Sequence, residues 1–261
     1  MRANKIMVRI GIMLLFSILI WKFNLYLNNV FLGDEYNRAN HLLIALTTTI
    51  LCLILINFAR RIDKISWKQF GMNGLNNNII SFFVGVLIWI VPAVIGLVIC
   101  LLTGWSEITV KTDLNKLLLS VLLLLVTVFL IEAFPEELIF RGYVYGYLKE
   151  LFPNWITIVI QSVIFSLFAY FIGALYSMEQ LLFIPGYGFM LGYFRAKSGN
   201  VWTPIGFHVS IMTATQILNP IHRHFDVDGI FAIQFFAFNL LPYVLGAIVL
   251  DYFYPKNDLV K

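Results

Sequence analysis

The chain has 261 residues, of which 60% are hydrophobic and 12% charged, with a formal net charge of +4 at pH 7 and a mean hydropathy of +0.86. A soluble domain carries about 25% charged residues, so this composition excludes one and points to a chain built for lipid. No run of basic residues exceeds two. The positive balance therefore lacks the footprint of nucleic-acid binding and fits the Lys/Arg bias of membrane loops.

The chain opens with "MRANKIMVRIGIMLLFSILIW", basic and then apolar, and continues "KFNLYLNN" with no small-residue cleavage site. It reads as a retained first span rather than a signal peptide. Apolar segments lie near 8–27, 40–58, 79–103, 115–148, 154–174, 180–194, 200–217 and 230–252, most of them near the roughly 20 residues that cross a bilayer as a helix. The expected fold is all-α, a polytopic transmembrane bundle of about eight helices. N-terminal transmembrane helices are expected over 1–110 and a core transmembrane domain over 111–261. The fourth segment is too long for one straight crossing, so it continues past the membrane edge or kinks at Pro135. Cys52 and Cys100 sit in apolar runs without ligand spacing and read as plain hydrophobic thiols.

Lys and Arg set the expected orientation. With the N-terminus inside, the inner segments carry twelve cations and the outer loops four: Arg38, Lys111, Lys116 and Arg223. That asymmetry predicts a multi-pass protein with both termini cytoplasmic. Gly142 with Gly146, and Gly188 with Gly192, have the GxxxG spacing that lets helix backbones approach closely in lipid.

The fourth segment carries the unusual chemistry. Within "EAFPEELIFRGYVYG" stand Glu132, Glu136, Glu137 and Arg141, and a charge at mid-bilayer costs at least about 2.5–3.5 kcal/mol. Glu137 and Arg141 are i, i+4 and pair on one helix face. Glu136 is turned about 100° away, and Glu132 lies one turn before it on nearly the same face, where the two carboxyls can share a proton. The unpaired Glu136 is the candidate general base; a packing network of all four groups is the alternative. His208, in "NVWTPIGFHVSIMTATQ", is the one histidine placed well inside a span, whereas His41 is at a span edge and His222 and His224 fall in a loop. "YVYGY", residues 143–147, could line an entrance near the inner surface.

The motif "EELIFRG", then a span, then "GYFRAKSGNVWTPIGFH" resembles the CPBP family of CAAX prenyl proteases and bacteriocin-processing enzymes, also called Abi, over roughly residues 115–250. "KQFGMNG" upstream is similar to the family's approach to its core. The Glu-Glu-x-x-x-Arg motif is met by Glu136, Glu137 and Arg141. The resemblance implies an intramembrane, glutamate-type endopeptidase. Glu136 would activate water, Glu137 and Arg141 would hold the site, and His208 would stabilise the oxyanion. The partners implied are the bilayer and a membrane-associated peptide or protein.

Two positions depart from the family pattern. The second motif, Phe-x-x-x-His, aligns Phe165 correctly but has Ala169 at the histidine; the third, His-x-x-x-Asn or Asp, has Met212 at its end. One oxyanion donor is worth about 10²–10³ in rate and a general base about 10²–10⁴, so the losses bear directly on activity. Glu132, Ser166, Tyr170 and Thr215 are the candidate stand-ins. One buried His and adjacent Glu residues do not make a three-ligand zinc site, so no metal or other cofactor is expected. Three functions remain open: the endopeptidase, a non-catalytic member acting as an immunity-like protein or membrane scaffold, and a proton-coupled transporter.

Overall fold

A computed structural model describes residues 2–31, 38–175 and 177–255. Among them are eight long helices, at the positions of the eight apolar segments. These are α1 (Arg2–Phe31), α2 (Arg38–Asp63), α3 (Leu75–Leu102), α4 (Leu114–Leu148), α5 (Asn154–Ile172), α6 (Met178–Ser198), α7 (Trp202–Ile217) and α8 (Ile230–Phe253). Six of them are long and apolar enough to span a membrane; α6 and α7 are not among these. The chain is an integral, multi-pass membrane protein of helical-bundle fold.

In lipid every backbone polar group must be satisfied within the protein, which favours helices throughout. The outer surface is apolar: α3 turns Ile80, Phe83, Leu87, Val91 and Val94 outward, while Ser81, Gly85, Ile88, Trp89, Pro92, Ala93 and Gly96 face inward. α7 explains its own lower hydropathy. It is encased by other helices, burying Thr203 to Val209, Ile211, Thr213 and Ile217, so it need not present an apolar face to lipid. Polar side chains in the spans often bond their own helix, as Ser17 Oγ does to Met13 O at 2.8 Å and Thr48 Oγ1 to Ile44 O at 2.9 Å.

α3 and α7 pack against each other extensively, and two glycines permit it. A Cβ on Gly85 would lie 2.0 Å from Thr203 O, and one on Gly206 would lie 2.0 Å from Phe82 O. This crossing sets the position of His208, two residues beyond Gly206. Gly188 and Gly192 serve the α5–α6 contact, against Phe165 and Ser162 and against Gln161 and Ile158. Gly142 makes its close approach to Phe70 of the α2–α3 connection rather than to another helix.

α4 runs through Pro135 without breaking, with wide π turns at Phe129–Ala133 and Leu138–Val144. The first turn resolves the proline problem. Pro135 has no N–H to give and its ring crowds the preceding turn. The Phe134 N–H reaches back to Phe129 O, which leaves Leu130 O without a partner in its own helix. The Thr49 hydroxyl of α2 donates to it.

The alternating helices gather the cation-rich segments at one end of the bundle. There Arg9 Nε pairs with Asp63 Oδ1 at 3.0 Å, Tyr143 donates to Asp63 Oδ2 at 2.8 Å, and Lys197 pairs with Asp251 at 2.5 Å. At the other end the loops meet in a two-stranded antiparallel ribbon, β1 (Glu107–Val110) with β2 (Phe225–Asp228), in the register Glu107↔Asp228. The sequence reading did not foresee it, because four-residue strands inside loops carry almost no periodic signal.

The α3–α7 crossing gives the first prediction. Gly206→Ala should lower thermal stability by about 1–3 kcal/mol through overpacking, whereas Gly11→Ala, with nothing within 4 Å of the added carbon, should leave it unchanged. Unfolding of the two variants in detergent, followed by circular dichroism, checks the contrast.

Candidate active site

Glu137 is the hub of the buried polar residues. Its Oε1 accepts from Arg141 Nη1 at 2.9 Å and lies 2.9 Å from His208 Nδ1. Glu137 and Arg141 have no side-chain exposure and His208 only 2%. The first bond follows from helix geometry, since i and i+4 share a face. The second joins α4 to α7. Arg141 is held further by Nη2 donating to Gly188 O at 3.0 Å, and it stacks 4.7 Å above the Phe165 ring. The carboxylate thus links α4 to α7, and its Arg141 partner links α4 to α5 and α6.

Glu136 points elsewhere, as its rotation on the helix predicts. Its buried side chain makes no hydrogen bond or ion pair among the described residues and lines a cavity of ≈ 380 Å³. Glu132, Ala169, Tyr187, His208 and Met212 line the same cavity. The catalytic candidates and both departed motif positions therefore meet in one space. The resemblance implies that His208 stabilises the oxyanion; in the structure its Nδ1 is engaged by Glu137 Oε1. With Nδ1 so engaged, Nε2 is the ring nitrogen left for other work. Glu132 also has a partner, Gln216 Nε2, at 2.9 Å from its Oε1.

The proposed stand-ins fare differently. Tyr170 is 64% exposed on the outside of α5. The Ser166 hydroxyl donates to Ser162 O at 2.9 Å. Thr215 is not on the cavity wall. Tyr187 does line the cavity: it is buried, its hydroxyl has no partner among the described residues, and its ring meets His208 edge-on at 5.1 Å. Its position between Pro185 and Gly188, where α6 packs tightly on α5, was a weak signal in sequence.

The N-terminal helices also contribute. Asn24, Asn28 and His41 line the cavity. Asn28 Nδ2 donates to Asn24 Oδ1 and Asn24 Nδ2 to Thr48 Oγ1, each at 2.6 Å. Sequence reasoning confined the site to the later helices and missed them, because a single Asn in an apolar run has no periodic mark of function. Among the described residues no three His, Cys, Asp or Glu side chains are grouped as a metal site would need.

The model of one protein family, described as type II CAAX prenyl endopeptidase Rce1-like, matches residues 118–214. The match runs from α4 into α7 and takes in Glu132, Glu136, Glu137, Arg141, Ala169, His208 and Met212. It agrees with the CPBP resemblance carried by the motifs. No curated protein matches the chain.

The hub and the unpartnered acid should respond differently to mutation. Arg141→Met leaves the Glu137 charge buried beside a neutral chain and should cost about 3–5 kcal/mol of stability. Glu136→Gln breaks no bond and should keep the parent melting temperature. Differential scanning fluorimetry of both variants in one detergent measures the difference.

Proposed function

We propose that this Rce1-like membrane protein is an intramembrane glutamate-type endopeptidase that cuts a membrane-associated peptide, with Glu136 as its general base. The observation that carries the reading is the division of labour between adjacent glutamates. Glu137 Oε1 is engaged by both Arg141 and His208, while Glu136, bonded to nothing among the described residues, faces the cavity that His208 also lines.

The chemistry follows from that arrangement. Glu136 takes a proton from a water molecule as the oxygen attacks the peptide carbonyl. The negative charge developing on the carbonyl oxygen needs donors already in place. The Tyr187 hydroxyl is one, and His208 Nε2 is another when the ring carries both protons. Glu136 then passes its proton to the departing amine. Glu137 and Arg141 act as positioning residues that fix the imidazole.

A second reading, a non-catalytic member that holds a peptide in the same cavity, is favoured by Ala169 and Met212. Both lie on the cavity wall, where the family pattern places groups that assist the reaction.

Two variants separate the readings. Incubated with a peptide library in liposomes, the parent should yield cleavage products and Glu136→Gln none, with both proteins folded. Ala169→His combined with Met212→Asn restores a nitrogen base and an oxyanion donor to the wall and should raise the cleavage rate about 10²–10³-fold. A parent that cuts nothing, together with a double variant that also cuts nothing, supports the binding protein instead.

A further inference from the structure

A second cavity, of ≈ 540 Å³, opens at the end of the bundle where the cation-rich segments meet, and it shares no lining residue with the first. Its wall includes Phe70, Tyr145, Lys149, Glu150, Asn154 and Arg195. Arg195 is only 8% exposed and is held firmly. Its Nε donates to Arg141 O at 3.0 Å, and its guanidinium lies 5.4 Å from the centre of the Tyr145 ring. The backbone makes room for it at Gly71, where a Cβ would sit 2.4 Å from Nη2.

This buried guanidinium lacks what Arg141 has. Among the described residues no carboxylate pairs with Arg195, and its two Nη groups have no acceptor. Lys149, at the exposed rim, likewise pairs with no carboxylate among the described residues. Burial, and then the like charge of Arg195, hold its ammonium below the ordinary lysine range. The neighbouring polar groups are already committed: Tyr145 donates to Asn154 Oδ1 at 2.8 Å, Tyr143 to Asp63, and Tyr147 accepts from Arg9 at 3.1 Å. The wall holds one acid, Glu150, and two cations, Arg195 and Lys149. A buried guanidinium without a counter-ion is costly, and its planar fork of N–H donors fits the oxygens of a phosphate.

The geometry points to a phosphate-binding site formed by Arg195 and Lys149, open to the headgroup of an anionic phospholipid or to a free phosphate. Arg195 supplies paired donors from the pocket floor, and Lys149 adds a point charge at the mouth. The volume exceeds what one phosphate fills, and the Phe70 and Tyr145 rings suit the glycerol portion of a headgroup. The site lies where the inner segments concentrate their Lys and Arg, the face expected to meet anionic lipid.

The test uses the full chain purified in neutral detergent. Native mass spectrometry reads retention of phosphatidylglycerol against phosphatidylcholine, and thermal shift reads inorganic phosphate against chloride at equal ionic strength. A lipid site retains phosphatidylglycerol at least tenfold better than phosphatidylcholine; a free-phosphate site raises the melting temperature with phosphate and shows no lipid preference. In either case Lys149→Gln, a substitution at the exposed rim that breaks no bond, should weaken binding about threefold, and Arg195→Gln at least tenfold. Neither lipid preference nor a phosphate shift in the parent, or binding undiminished in Lys149→Gln, overturns the proposal.

Discussion

The structure depends on one oxygen atom. Glu137 Oε1 takes hydrogen bonds from a guanidinium on its own helix and from an imidazole on α7, within a protein that leaves neither donor another carboxylate among the described residues. A lone carboxylate, guanidinium or imidazole at that depth would be costly. Together they neutralise one another and fix the angle between α4 and α7. This bond directs the rest: with Glu137 turned toward Arg141, Glu136, about 100° round the helix, and Glu132 face the cavity that His208 also lines.

Helical periodicity made much of this legible in the sequence. The apolar segments gave the eight helices, and the i, i+4 spacing gave the Glu137–Arg141 pair and the divergence of Glu136 from Glu137. Three features were beyond its reach for one physical reason, that they are contacts between segments far apart in sequence. Spacing along α4 cannot say which carboxylate an imidazole 71 residues away will choose. The cavity walls from Asn24, Asn28 and His41 depend on how α1 and α2 lean on α5 and α4. The α3–α7 crossing rests on Gly85 and Gly206, which lack the four-residue spacing that drew attention to Gly142 and Gly188. Pro135 is a partial case: the sequence announced an irregularity, but its resolution through a π turn and the Thr49 hydroxyl needed α2 in place.

Bonds also connect the two ends of the bundle. Arg195 Nε holds the carbonyl of Arg141, whose side chain holds Glu137, which in turn holds His208. π turns tend to occur at functional sites, and here the Leu138–Val144 turn carries both the Arg141 side chain that holds Glu137 and the Arg141 carbonyl that receives Arg195. The two cavities share no wall residue, yet a single residue of α4 is bonded toward each.

Ala169 and Met212 are apolar, yet the cavity they line is not wholly so. Each ionisable or polar neighbour in such a closed space carries a desolvation cost, and the cavity nevertheless holds several. Glu132 is held by Gln216, Glu136 stands open, Tyr187 turns an unpartnered hydroxyl into the interior, and α1 brings two asparagines to the wall. Apolar replacement of the whole set would have been the cheaper way to fill a space between helices. The polar groups of the wall thus come from α1, α2, α4, α6 and α7, whereas positions 169 and 212 contribute apolar surface.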